Sequence, residues 1–532
     1  MSKVWLDLYP EHIKKEIEIP NQSLPQMLKE SISAYEENIA LHFNRDEITY
    51  RKLGELTDAF TAALQKAGVQ KGDRVAIMLP NCPQFVISYY GSLQAGAIVT
   101  QINPMLVGKE LQHILMDSGA KTIVIYEPLL PVLEQIISDT FIENVIKVNL
   151  EGRNTDHDIA VGFNQFLEVG EPPLPVNINT SEDVAVLQYT GGTTGRSKGA
   201  MLTHRNLLAN VMQGAEFFND TLEFGKERVL TVIPLFHVYG MTSGMNLAIY
   251  TGAMNILLPR FEPEELLTTI KETRPTVFPG VPTMYISLLN QAHLTNDSLE
   301  SIKICISGSA PIPKEIIRQF EEKSKATILE GYGLSETSPS THTNPYFSHR
   351  KPGSVGIGLP STDYKIVDLG NGEKEMAPGE AGEIAIKGPQ IMKGYWNMPE
   401  ETAHALRNGW LYTGDIAYMD EDGYLYIVDR KKDLIIASGY NVYPRDVEEI
   451  LYEHPAVQEA VVVGVPDSYR GETVKAVIVL NDDYQSEEED LIDHCRENMA
   501  PYKVPRIIEF RKELPKTNVG KILRRKVREE SH

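Results

Sequence analysis

A chain of 532 residues is too long for a single hydrophobic core, and its length suggests roughly three or four domain-sized units, some of them fused. Its hydrophobic content of 42% and charged content of 23% are ordinary for a soluble globular protein. A formal net charge of −22 argues against a nucleic-acid binder, which needs a dominant basic face, so anionic substrates must be captured at local positive sites. Cys82, Cys305 and Cys495 lie far apart without ligand spacing, which points away from a disulfide framework or a zinc site and towards a reducing cytoplasm. The first twenty residues contain no apolar run of signal-peptide length, and no later stretch approaches the ~20 apolar residues that span a bilayer. Peripheral contact with a membrane stays open.

In chain order, "YRKLGELTDAFTAALQKAGV" places Leu53, Leu56, Phe60 and Leu64 at helical spacing and ends at Gly68 like a capped helix. "DRVAIMLP" has strand length, "PQFVISYYGSLQAGAIV" reads as a second helix, and "AKTIVIY" as another strand. "VLTVIPL", "MNILLP", "PTVFPGVP" and "SIKICISGSA" continue a series that predicts a parallel sheet with covering helices. After about residue 350 the texture changes, and "GNGEKEMAPGEAGEIAIKG" and "DEDGYLYIVDR" look like antiparallel hairpins. "DRKKDL" concentrates charge in a short connector, followed by helix-like "RDVEEILYEH" and strand-like "EAVVVGV" and "VKAVIVL"; "SEEED" reads as a solvated helix start. The expected fold class is therefore α/β. A large N-terminal domain over 1–429 carries mostly parallel sheets with covering helices and a β-rich subdomain, and a small α+β C-terminal domain covers 430–532.

One stretch stands out chemically. "YTGGTTGRSKGAMLTH", Tyr189 to His204, holds four glycines, four threonines and a single buried-looking Lys198 after the strand-like run Val184 to Leu187. Glycines let backbone N–H groups turn towards an anion, and hydroxyls and an ammonium add donors, so the run reads as a phosphate cradle. It is not a Walker A motif, because Arg196 and Ser197 separate Gly195 from Lys198 and Gly199 follows it. By itself such a run is equally a flexible turn.

With "EGYGLSE" (Glu330–Glu336), "YTGDI" (Tyr412–Ile416), "DRKKDLI" (Asp429–Ile435) and "PKTNVGKI" (Pro515–Ile522), the loop resembles the adenylate-forming superfamily, in order and spacing over roughly residues 25 to 528. "VLQYTGGTTG", "LFHVYG", "GPQIMKGYWN" and "VPDSYRGETVKA" look closest to bacterial long-chain fatty-acid–CoA ligases. The resemblance implies two half-reactions: a carboxylate and ATP give acyl-AMP and pyrophosphate, then coenzyme A displaces AMP. It implies that Thr190, Gly191, Gly192, Thr193, Thr194 and Gly195 cradle the β- and γ-phosphates, with Lys198 securing the loop or the phosphate charge. Glu336 would hold Mg²⁺, with Thr193 a weaker second ligand, and Ser335 would donate to the α-phosphate. Tyr332 would offer a flat face to adenine, with Gly331 and Gly333 keeping the backbone close and Gly308, Ser309 and Ala310 on the opposite face. Asp415 would accept from the ribose hydroxyls, with Arg430 a further donor.

The same resemblance makes Lys521 the adenylation lysine, its ammonium bridging acyl carboxylate and α-phosphate. The C-terminal domain would then rotate about Lys432, and Gly439 would leave room for the pantetheine arm. Arg524 to Arg528, beyond Lys521, read as a solvated basic tail. His237 would gate or position the acid rather than act as a base, since a fatty carboxylate is already ionised at neutral pH. Val238, Tyr239, Gly240 and Gly308 complete the expected acyl pocket, and small Gly240, Ser243 and Gly244 would open a channel that Met241 and Met245 adapt to a flexible chain. The expected activity is an ATP-dependent, AMP-forming medium- or long-chain fatty-acid–CoA ligase with Mg²⁺ and coenzyme A. An aryl or short-chain ligase and a stand-alone enzyme loading a carrier protein are the alternatives, and the oligomeric state, a homodimer included, is left open.

Overall fold

The computed structural model describes residues 3–531, apart from 107, 152–156, 191–196, 292–293, 295–297, 325, 432, 438–439, 468–470, 482–483, 485 and 518–521. The helix Tyr50–Lys66 starts where the Thr49 hydroxyl accepts from Lys52 N at 3.2 Å and buries Leu53, Phe60 and Leu64 on one face. It stops before Gly68, whose φ of +87° suits the left-handed exit. The next apolar run does not stay helical throughout. The helix Pro83–Gln94 ends at a left-handed Gly96, and Ile98–Gln101 is a strand. That strand is buried along its whole length inside a parallel sheet, so it shows no alternation to separate it from the apolar helix before it.

Among the described residues the chain forms four sheets. The first joins six parallel strands, in the order Ile328–Gly333, Ile304–Ser307, Val277–Gly280, Arg228–Thr231, Met254–Leu257 and Ile39–Phe43, with antiparallel strands at both edges. The second is parallel through Val184–Thr190, Ile98–Gln101, Arg74–Met78, Thr122–Tyr126, Asn144–Val148 and Val161–Gly162. It continues antiparallel from Val184–Thr190 to Lys198–Thr203 and Gly394–Tyr395. The third is the expected β-rich unit: Asp363–Val367, Gly382–Lys387, Trp410–Met419 and Leu425–Arg430 pair antiparallel. Loops leaving the carboxyl ends of the parallel strands are where an open α/β sheet places ligands, and residues from all three sheets meet there.

The fourth sheet holds Tyr440–Val442, Ile435–Ala437, Gly471–Leu480, Val457–Asp467 and Ile507–Phe510, covered by the helices Pro444–Tyr452 and Glu488–Asn498. Its apolar faces close on a core that includes Val447, Leu451, Val462, Ile478 and Leu491. Glu487 caps the second of these helices, as the reading of "SEEED" expects. The final helix, Arg524–Glu530, departs from the reading of a solvated tail. Arg524 donates to Asp429 Oδ1 at 3.0 Å and to both Glu448 oxygens at 2.8 and 2.9 Å, and Arg528 lies 3.4 Å from Asp433. Asp433 Oδ2 lies 3.7 Å from Arg524 as well, and all three acids are far from it in sequence, so local composition could not show that the guanidinium is enclosed.

Candidate active site

Three of the predicted nucleotide residues form one group, joined by a hydrogen bond and an ion pair. The strand Ile328–Gly333 delivers Tyr332, whose hydroxyl donates to Asp415 Oδ2 at 2.7 Å. Asp415 and Arg430 are register partners on neighbouring antiparallel strands, and Arg430 Nε lies 3.4 Å from Asp415 Oδ1. Burial first, and then the adjacent carboxylate, push the Tyr332 phenol well above its usual range, so this hydroxyl stays a donor. Asp415 is 5% exposed, and each of its oxygens already has one protein partner. A ribose would therefore share its remaining lone pairs.

The two glycines beside Tyr332 differ. A side chain on Gly333 would put Cβ 2.1 Å from the carbonyl oxygen of Pro339, so that glycine is required by the protein's own backbone. At Gly331 the nearest atom would be 3.5 Å away, ordinary contact, so packing does not demand glycine there. Gly308 donates its N–H to Gly280 O at 3.2 Å and is buried, Ser309 is held at a φ of +67°, and Ala310 is half-buried beside it.

Glu336 lies in the 3₁₀ turn Ser335–Thr337 that follows the same strand, with Ser335 half-buried at its start. Its Oε1 accepts from the Tyr395 hydroxyl at 2.7 Å, and its carbonyl accepts from Met392 N at 2.8 Å. Tyr395 pairs with Ala200 on the strand Lys198–Thr203, and the Lys198 ammonium lies 5.2 Å from the Tyr395 ring centroid while pairing with Glu401. Lys198 is thus half-buried and paired with a carboxylate, where the sequence suggested a buried lysine that secures the loop or the phosphate charge. Thr190 is half-buried, its carbonyl accepting from the Ser197 hydroxyl at 2.5 Å, and it pairs with Lys198 in register. Gly191, Gly192, Thr193, Thr194 and Gly195 lie outside the described residues, as do Lys432, Gly439 and Lys521. Among the described residues no group of three or more His, Cys, Asp or Glu side chains could hold a metal ion. One carboxylate such as Glu336 suits Mg²⁺ only where phosphate oxygens and water complete the shell, which is how Mg²⁺ binds at phosphate sites.

Of the residues expected to form the acyl pocket, His237 is half-buried; its backbone N–H donates to Pro234 O at 3.0 Å, and its Nδ1 accepts from Tyr239 N at 3.3 Å. Val238 is buried, and the Tyr239 hydroxyl donates to Ile306 O at 2.9 Å. A Cβ on Gly308 would stand 3.1 Å from the Tyr239 ring, so these two expected pocket residues pack against each other. Met241 and Met245 are fully buried in the π-helical segment Gly240–Asn246, a winding that concentrates at functional sites. Two of the glycines expected to open a channel instead allow close packing. A Cβ on Gly240 would meet Pro234 O at 2.3 Å, and one on Gly244 would meet the Thr231 side chain at 3.0 Å.

Sequence reasoning passed over Tyr395 as an individual, although "GPQIMKGYWN" contains it; nothing local marks its hydroxyl as a partner of Glu336. It also passed over Asn81, Gln101 and Gln188, which touch the segment before His237.

Comparison with known proteins places this geometry in a family. The family described as AMP-binding enzyme matches residues 28–396, and the AMP-binding enzyme C-terminal domain matches residues 446–521. The chain is 49% identical to a long-chain-fatty-acid–CoA ligase of Bacillus subtilis (strain 168), covering 99% of this chain and 98% of that one. It is 40% identical to the protein of the same name in Escherichia coli O6:H1, covering 100% and 99%. Among solved structures, the anthranilate CoA ligase AuaEII in complex with anthranoyl-AMP superposes with a TM-score of 0.90 at 29% identity, covering 97% of this chain and 98% of that one. With the Tyr332–Asp415–Arg430 group and Glu336 gathered at the carboxyl ends of its parallel strands, the chain belongs to the AMP-binding enzyme family, the adenylate-forming enzymes.

Proposed function

We propose that this protein is an ATP-dependent fatty-acid–CoA ligase acting on medium- to long-chain acids. The observation that carries the reading is the joining of Tyr332, Asp415 and Arg430 into one group, with Glu336 one turn further on, in a chain so similar over its whole length to long-chain-fatty-acid–CoA ligases. In the first half-reaction a carboxylate oxygen attacks the α-phosphorus and pyrophosphate leaves; in the second the CoA thiol, losing its proton, attacks the acyl carbonyl and AMP leaves.

Gly331 and Tyr332 receive adenine, with Gly308, Ser309 and Ala310 opposite, and Asp415 and Arg430 meet the ribose. Thr190 to Gly195 receive the outgoing pyrophosphate, and Ser335 donates to the α-phosphate. Lys198, held over Tyr395 by Glu401, secures the strand beyond that loop rather than the phosphate itself. Mg²⁺ would be held by Glu336, oriented by Tyr395, with Thr193 as a second ligand, and would offset the polyphosphate charge. His237 faces the carboxylate.

Residues 1–429 form the first domain and 430–532 the second, which turns about Lys432 to exchange Lys521 for the Gly439 side. No helix among the described residues is long and apolar enough to cross a membrane, and three free, buried cysteines suit action in the cytoplasm.

The test is pyrophosphate release across acids from acetate to arachidate, benzoates and amino acids, with and without CoA. Medium- and long-chain acids should turn over fastest and need CoA for sustained release; a preference for benzoates would overturn the chain-length assignment. Lys521→Ala should abolish pyrophosphate release yet still convert supplied acyl-AMP to acyl-CoA, whereas equal loss of both would remove the domain exchange.

A further inference from the structure

Between the strand Arg228–Thr231 and His237 the chain runs through 232–236 without regular structure, so its backbone groups need partners from elsewhere. Three carboxamides from the second sheet supply them. Asn81, just past the strand Arg74–Met78, donates from Nδ2 to Thr231 O at 3.2 Å and Ile233 O at 3.0 Å, and its Oδ1 accepts from Leu235 N at 2.7 Å. Gln101 donates from Nε2 to Leu235 O at 3.2 Å, and Gln188 does the same to Phe236 O at 3.1 Å. Gln101 and Gln188 are direct register partners on adjacent parallel strands, so neighbouring amides hold consecutive carbonyls, and the next residue is His237.

Packing alone does not account for amides at these positions. All three side chains are at most 3% exposed, and the Oε1 atoms of both glutamines have no hydrogen-bond partner among the described residues. Burying a polar atom unmet costs free energy that a leucine or methionine of similar volume would avoid. What the amide provides that a hydrocarbon lacks is a directed N–H to the backbone. A carboxylate of the same shape would set oxygen against carbonyl oxygen.

We propose that Asn81, Gln101 and Gln188 are positioning residues that fix the backbone of 231–236 and thereby present His237 to the substrate carboxylate. The inference rests on the role given to His237 above. Because carboxamides do not titrate, this positioning is independent of pH.

The test measures pyrophosphate release by the full chain with steady-state parameters for a long-chain fatty acid and for ATP, alongside thermal stability, in Gln188→Met, Gln188→Glu, Gln101→Met, His237→Ala and Gln188→Met/His237→Ala. Gln188→Met and Gln101→Met should each lower kcat/KM for the fatty acid about tenfold, the worth of one directed hydrogen bond, with KM for ATP essentially unchanged and an unaltered pH profile. Gln188→Glu should be worse than Gln188→Met, whereas a purely steric role ranks glutamate, the closer match in shape, as the milder change. The double variant should be no slower than His237→Ala, since both changes remove the same orientation. Equal losses towards acid and ATP, a fall in stability alone, or losses that multiply in the double variant would overturn the proposal. A silent His237→Ala would instead remove the role assigned to His237, and the proposal with it.

Discussion

The two halves of the proposed site are held in opposite ways. On the nucleotide side, side chains hold side chains: Tyr332 on Asp415, Arg430 on Asp415, Tyr395 on Glu336. On the acyl side, side chains hold backbone, with Tyr239 on Ile306 O, the three amides on 231–236, and glycines pressed against Pro234 and Thr231. Charge and directed donors suit a polar, fixed ligand such as a nucleotide. A variable apolar chain offers nothing to bond, so the wall beside it is shaped by where the main chain runs.

That contrast can be broken most sharply at Asp415. Asp415→Ala strands Tyr332 and Arg430 together, and kcat/KM for ATP should fall about a hundredfold, the scale of losing charged hydrogen bonds and leaving their partners unmet, while the ranking of acids is unchanged. A ranking altered in the same assay would show that the two halves are not separate.

The paired glycines sharpen the same point at smaller scale. Gly333→Ala forces a methyl into Pro339 O and should destabilise the fold by about 1–3 kcal/mol, the usual range for overpacking. Gly331→Ala should leave the melting temperature intact and raise KM for ATP, because only a ligand contests that space. Melting curves and ATP titrations of the two variants separate packing from binding within one motif.

On the acyl side Tyr239→Phe removes a single donor to a backbone carbonyl. About 1 kcal/mol of stability should go, with pyrophosphate release at saturating acid and ATP nearly unchanged. A loss of rate beyond tenfold would move the Tyr239 hydroxyl from scaffold to chemistry.

A separate effect, on stability and its pH dependence rather than on turnover, is expected at Glu330, the first residue of "EGYGLSE". Burial pushes this carboxyl up to about 8, although Gly353 N at 2.7 Å and Asn344 Nδ2 at 3.2 Å both donate to it. The folded state therefore holds its proton over the window from the usual 4.5 to about 8, while the unfolded chain has lost it. More protons bound in the folded state means that stability falls as pH rises through that window. Glu330→Gln should flatten this fall, seen as melting temperatures that converge with the parent at low pH and exceed it at high pH. An unchanged slope would mean that the carboxyl is already ionised in the fold.

How much of this was legible follows the same division. Tyr332, Glu336, Asp415 and Arg430 stand in short motifs rich in glycine and charge, so their types and spacing announced them, and the structure brings the first, third and fourth into contact. The parallel sheets were legible from alternating helix and strand patterns. The strand Ile98–Gln101 was not, because full burial erases the periodicity that marks a strand. Arg524 looked like part of a solvated tail because Asp429 and Glu448, which enclose it, lie far away in sequence. Gln101 gave no signal, and Gln188 stood inside "VLQYTGGTTG" with nothing to mark its amide: an amide in an apolar strand means nothing until the opposite sheet is in place.

The register that sets Gln101 beside Gln188 has a consequence for how such a chain tolerates insertions. Successive side chains along a strand alternate faces, so one residue added within Ile98–Gln101 or Val184–Thr190 would turn the following glutamine to the other side of the sheet. Tyr332, Glu336, Asp415 and Arg430 would all remain in place, yet the segment leading to His237 would lose one of its three holds.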